Sequence, residues 1–335
     1  MTHELKHIIE VAHQNNHLKY VLATVVALDG SSYRKPGVQM LLCEDGSMTG
    51  AVSGGCVEKE VLFQSQSVFE TGIPKVMTYN GSYRLGCEGI LYLLLEPFAV
   101  STSAYHILKE HFKNRKSITL TSCFEKKYGV NHKFGSFLTF SDQQKIFFRN
   151  NFVPNEQFDQ FRFTFSPIPQ LIIIGTEHDA VALCQATSLL GWEVQIIASP
   201  RQQKTIEDFP GASKVIFLDP ETEFNLTIDH QTAIVLMNHN FARDFHFLLQ
   251  LQKHDAFYIG ILGSTKRRES LMHALIEHDS ELCLDFMDHI FSPAGINIGA
   301  ITPQEIAISI LSEIIAVQQN KEVPSLRHQI KNIHL

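Results

Sequence analysis

Ser53-Gly54-Gly55-Cys56-Val57-Glu58 sets a thiol behind two glycines and ahead of a stretch, Val57 to Ser67, whose composition predicts a helix. Two glycines can take positive φ and let successive backbone N–H groups converge on an anion. The positive end of a helix favours thiolate over thiol, so the chemistry this spacing supports is a reactive thiolate at Cys56. Glu58 suits a helix start, although its charge works against the thiolate. The same pattern also fits a small residue buried at a tight strand-to-helix turn, since free cysteine is among the most buried residue types.

Six further segments carry chemistry. Arg34-Lys35-Pro36-Gly37 offers two cations from a constrained loop, which suits an anion or phosphate contact and equally a solvated turn. Cys87 lies in a glycine-punctuated loop from Asn80 to Gly89. Gly175-Thr176-Glu177-His178 stands where a dinucleotide fold keeps its glycine-rich turn, but Glu177 replaces the glycine that lets the backbone approach a pyrophosphate. Ser199 likewise occupies the place of the acidic ribose-binding residue, and Arg201 beside it suits a 2′-phosphate. Finally, Asn238-His239-Asn240 and Gly263-Ser264-Thr265-Lys266-Arg267-Arg268 follow two strands, the second as a phosphate cradle or a solvated basic face.

The elements that must position these groups fall into two periods. A helix over Thr2 to His17 is predicted from the stripe Leu5, Ile8, Ile9 and Ala12. Its histidines His3/His7 and His13/His17 fall at i,i+4, a spacing that suits a metal, but no carboxylate or thiolate completes such a site locally and they read as solvent-facing. Strands follow at Tyr20 to Leu28, Gln39 to Cys43, Met48 to Val52, Lys75 to Tyr79 and Ile90 to Leu95, with Asp45-Gly46 as a hairpin signal. From Ser117 to Phe165 short phenylalanine-rich segments predict a packed sheet. Ser166-Pro167-Ile168-Pro169 marks a boundary, after which strands and helices alternate as in a parallel α/β sheet. The fold class expected is α/β: an N-terminal mixed α+β domain over 1–100, a β-rich connecting region over 101–168, a Rossmann-like domain over 169–320 with a mainly parallel sheet, and a tail over 321–335. Thr302-Pro303-Gln304-Glu305 predicts the start of a last helix running to Gln319.

Composition narrows the classes. With 335 residues, 44% hydrophobic and 19% charged, the chain is that of a globular protein of two domains. A net charge of -7 argues against general nucleic-acid binding, and no apolar run has membrane-spanning length. Six scattered cysteines without paired spacing predict free thiols in a cytoplasmic chain.

The phrases GSSYRKPGVQM, SGGCVE, LGCEG, GTEHDA, MNH, GILGSTKRRESL and SPAGINIGAITPQEIAISILSEIIAV together resemble the xanthine dehydrogenase accessory proteins of the XdhC/CoxI type. The resemblance implies a dimeric, non-catalytic chaperone that binds molybdenum cofactor (molybdopterin), holds it while its terminal sulfur is installed, and delivers it to a molybdenum hydroxylase client, with a cysteine desulfurase as a further partner. It places the cofactor role on Cys56 and Cys87. Gly54, Gly55, Arg34, Lys35, Gly175, His178, His239, Ser264, Lys266 and Arg267 are the other candidate cofactor contacts. Three positions depart from the family pattern: the turn Gly-Ala-Gly-His is here Gly175-Thr176-Glu177-His178, an aspartate is Ser199, and Cys-Gly-Gly is Cys87-Glu88-Gly89. Competing readings are an NAD(P)-dependent oxidoreductase with His239 as acid/base, and an interaction protein with decayed sites.

Overall fold

The computed structural model describes residues 1–30, 35–53, 55, 57–81, 89–238, 240–278 and 284–325. Arg34, Gly54, Cys56, Cys87 and His239 lie outside them. The described chain divides into two compact units, Met1–Pro167 and a second beginning at Ile168.

The first unit runs α1 (Thr2–Gln14), β1 (Tyr20–Asp29), β2 (Gln39–Cys43), β3 (Met48–Gly50), α2 (Glu58–Thr71), β4 (Lys75–Asn80), β5 (Ile90–Phe98), α3 (Thr102–Lys113), β6 (Ile118–Phe124), β7 (Gly129–Val130), β8 (Gly135–Thr139), β9 (Lys145–Phe147) and β10 (Asp159–Phe165). In α1 the stripe Leu5, Ile8, Ile9 and Ala12 is buried throughout, each large side chain worth roughly 1.5–3 kcal/mol of transfer free energy. It packs on Leu22, Leu41 and Phe165. The β2–β3 hairpin closes as its sequence requires: Gly46 has φ +87°, and Asp45 Oδ1 accepts the Ser47 N–H at 2.8 Å.

An antiparallel sheet ordered β3-β2-β1-β5-β4-β7 is centred on the two longest apolar strands. One of its faces takes α2, whose Val61 and Val68 meet Val21, Ala23, Leu93 and Leu95. Another cluster sets Val26, Val76 and Leu94 against Phe124 and Phe134, from the second sheet and the turn before it. That second sheet, β10-β6-β8-β9, is antiparallel and accounts for the phenylalanine density. Helix α3 was not foreseen from the sequence. Only Ala104 and Leu108 are fully buried in it, a stripe too narrow to stand out, and Ser101 caps it by accepting the Ala104 N–H.

The second unit comprises β11 (Gln170–Ile174), α4 (His178–Ser188), β12 (Glu193–Ala198), β13 (Lys214–Phe217), β14 (Thr232–Leu236), α5 (Phe241–Leu251), β15 (Tyr258–Ile261), α6 (Thr265–His278), α7 (Leu284–Asp288), β16 (Ile290–Phe291) and α8 (Pro303–Gln318). Its six strands are all parallel and ordered β13-β12-β11-β14-β15-β16. Counted from the first strand of the unit this is 3-2-1-4-5-6, the order of a doubly wound nucleotide fold. Strands such as Thr232–Leu236 are buried at every position because helices cover both faces. Residues of α4 and α8 pack on one side, those of α5 and α6 on the other. Both capping-box bonds between Thr302 and Glu305 form at the start of α8.

Candidate functional site

The turn that leads into α2 is held by a carboxylate. Ser53 donates its N–H to Glu58 Oε1 at 2.7 Å and its hydroxyl to Glu58 Oε2. The same hydroxyl oxygen accepts the N–H groups of Gly55 and Val57, each at 3.1 Å. Burial pushes the Glu58 carboxyl up, but hydrogen bonds from the Ser53 hydroxyl and from backbone N–H groups outweigh it and hold the group below its ordinary value. The carboxylate is therefore the hub of the turn. This tie is not legible in the sequence, because a side chain returning to residue 53 leaves no periodic signal. Val57 is buried, whereas Gly55, with φ +111°, is exposed and has open space where a side chain would stand.

Cys43, Cys123 and Cys184 are buried. Burial pushes the Cys123 thiol up, and the Cys184 thiol up to about 11. Lys35 is exposed, in the loop whose Gly37, at φ +101°, sits against the Phe163 ring 3.0 Å from where a Cβ would be.

The remaining described candidates share the carboxyl edge of the parallel sheet, where doubly wound folds bind ligands. At Gly175, φ is +146° and an added Cβ would lie 2.7 Å from the Met237 carbonyl oxygen, so the ends of β11 and β14 approach too closely for a side chain. Glu177 is the N-cap of α4 without a side-chain capping bond; it and His178 are exposed. Ser264 and Lys266 are also exposed, and the Ser264 carbonyl accepts the N–H groups of Arg267 and Arg268. Arg267 differs from its neighbours: its Nη2 donates to Asp244 Oδ2, while Asp244 Oδ1 accepts from Asn238 Nδ2 at 3.1 Å.

Two contacts at this edge escaped the sequence reading. Asp244 is completely buried and joins Asn238, just after β14, to Arg267 in the first turn of α6. Arg243, on the first turn of α5, donates from Nη1 to Ser199 Oγ at 3.0 Å. These residues stand 44 positions apart, and only the strand order brings them together.

A doubly wound nucleotide-type unit joined to an antiparallel unit with a glycine-cysteine turn defines the class, and comparison with known proteins defines the family. Residues 13–80 match the family described as XdhC and CoxI, and residues 171–314 match the XdhC Rossmann domain. A Bacillus subtilis protein, named as a probable subunit of xanthine dehydrogenase, is 30% identical over 90% of this chain and 94% of its own length. The Escherichia coli molybdenum cofactor insertion chaperone PaoD is 25% identical, over 91% of this chain and 85% of its own. A Bacillus halodurans protein, whose crystal structure describes it as a xanthine dehydrogenase, superposes with a TM-score of 0.77 at 27% identity, covering 95% of this chain and 97% of that one. This chain belongs to the XdhC and CoxI family. Among its described residues no helix is long and apolar enough to cross a membrane.

Proposed function

We propose that this protein is an accessory factor that binds molybdenum cofactor, holds it for sulfuration, and inserts it into a xanthine dehydrogenase-type molybdenum hydroxylase. The observation that carries the reading is the kinship over nine-tenths of the chain with a relative named as a molybdenum cofactor insertion chaperone. The chain's own residues are consistent with it. The turn fixed by Glu58 leaves open space at Gly55, as a bulky ligand needs, and soft thiolates suit molybdenum. The family resemblance assigns the cofactor to the thiols of Cys56 and Cys87, and the described cysteines, Cys43, Cys123 and Cys184, are buried. The cofactor supplies the molybdenum centre on which the client's hydroxylation chemistry depends. Within the first unit, Arg34 and Lys35 are proposed to meet its phosphate and Gly54 and Gly55 to line it. Gly175, His178, His239, Ser264, Lys266 and Arg267 are proposed as ligand contacts at the second unit's own sheet edge. Assembly as a homodimer, and receipt of sulfur from a cysteine desulfurase, belong to the same proposal.

An NAD(P)-linked oxidoreductase has the strand order of the second unit in its favour. Against it stand the exposed Glu177 carboxylate at the phosphate turn and the absence of an acidic residue at position 199.

The test is transfer. Loaded wild-type protein is expected to activate a cofactor-free xanthine dehydrogenase-type enzyme faster than free cofactor does. Cys56→Ser and Cys87→Ser should each reduce that rate about tenfold or more, the loss of at least ~1.4 kcal/mol of ligand interaction. Wild-type rates from both variants would remove the thiols from the proposal.

A further inference from the structure

We propose that the carboxyl edge of the parallel sheet binds a phosphomonoester dianion at the end of β12, held by Arg243, Ser199 and Arg201. In the sheet, β11 lies between β12 and β14. The bond from Arg243, which follows β14, to Ser199, which follows β12, therefore reaches across the end of β11. That is the mouth of the crevice in which a doubly wound fold takes its nucleotide.

Three features point to an anion there. First, Arg243 Nε is buried and has no hydrogen-bond partner among the described residues, and the same holds for Arg267 Nε at the same edge. A buried guanidinium N–H without a partner is costly, and an anion that accepts from it removes the cost. Second, Arg243 has no ion pair among the described residues. The buried carboxylate next to it in sequence, Asp244, is already engaged by Arg267 and Asn238. Third, the Ser199 oxygen accepts from Arg243 Nη1 at 3.0 Å and from the Arg201 N–H at 3.5 Å. Both lone pairs are thereby occupied, so the hydroxyl proton is left to donate to a ligand oxygen.

The ligand class follows from charge. A carboxylate at this position would accept the two hydroxyls of an unmodified ribose. Here a hydroxyl donor and the guanidinium forks of Arg243 and exposed Arg201 reverse the polarity, which suits three phosphate oxygens and offers a diol little. Glu177 at the start of α4 works against a pyrophosphate at the neighbouring turn, so the monoester is the anchor. Such a group occurs on the 2′-position of a nucleotide and on the side chain of a phosphorylated pterin.

Calorimetric titration of the full chain tests it, with 2′-AMP against adenosine, and a phosphorylated pterin against its dephosphorylated form. The expected result is a preference of about tenfold or more for the phosphorylated member of at least one pair, the range for a charge-assisted hydrogen bond. The pair that shows it identifies the source of the phosphate. Arg243→Gln should abolish the preference. Arg201→Gln, at an exposed site where folding is not at stake, should weaken it several-fold. No preference in either pair, or a preference that survives both substitutions, would overturn the site.

Discussion

Replacing Asp244 by alanine is expected to destabilise the second unit by about 3 kcal/mol, toward the lower end of the range for removing one partner of a buried ion pair. Asp244 is 0% exposed, and its two oxygens accept from Asn238 and Arg267. Truncation would strand a guanidinium whose side chain is only 21% exposed and whose Nε has no partner among the described residues. The stranded charge dominates the cost, because its desolvation is no longer offset. Partial exposure of Arg267 keeps the effect from reaching the top of the range. Urea midpoints for Asp244→Ala, Arg267→Met and the double Asp244→Leu/Arg267→Met variant separate the terms. The double variant should recover most of the loss, since it removes both charges. A single-variant effect under about 1 kcal/mol would show that the pair is solvated after all.

A second large effect concerns pH and lies in the first unit. Glu96, on β5 and fully buried, accepts the Ser136 N–H at 2.9 Å and pairs with the Ser136 hydroxyl, which in turn meets Ser122 Oγ at 2.7 Å. Burial pushes its carboxyl up to about 7 from an ordinary 4.5, and the Ser136 bonds and the Arg149 charge only partly oppose this. The fold therefore prefers the protonated acid, while the unfolded chain ionises it from about pH 4.5 upward. Its favourable contribution is complete below about pH 4.5 and is lost as pH rises through about 7. At about 1.4 kcal/mol per pH unit the loss amounts to roughly 3 kcal/mol. Glu96→Gln keeps the shape and one acceptor oxygen without the titration. Its stability relative to wild type should rise by about that amount between pH 5 and pH 8 in urea unfolding. Parallel pH profiles for the two proteins would contradict this assignment.

The architecture was legible where a local rule governs. Helical spacing fixed the buried face of α1, Asp45-Gly46 fixed the hairpin, and Thr302 with Glu305 fixed the start of α8. The alternation of strand and helix after Pro169 announced the parallel sheet, although not its strand order. The side-chain ties were not legible, because each depends on distant segments meeting. Glu96 sits in an apolar strand run, and nothing local says that Ser136 will satisfy it. Arg243 reads as an ordinary helix-surface cation until the sheet sets it against Ser199. Glu58 shows the same limit at short range, since it stands five positions from the serine it locks. Helix α3, with its narrow buried stripe, marks where periodicity itself was too weak.

Cofactor retention is the most direct test of the central claim. Purified full-length protein is mixed with molybdenum cofactor, passed through gel filtration, and the protein peak assayed for both molybdenum and pterin. The account predicts that both travel with the wild-type chain in equal amounts, and that Cys56→Ser and Cys87→Ser chains, eluting at the same volume, carry far less. A wild-type peak free of molybdenum and pterin would contradict it.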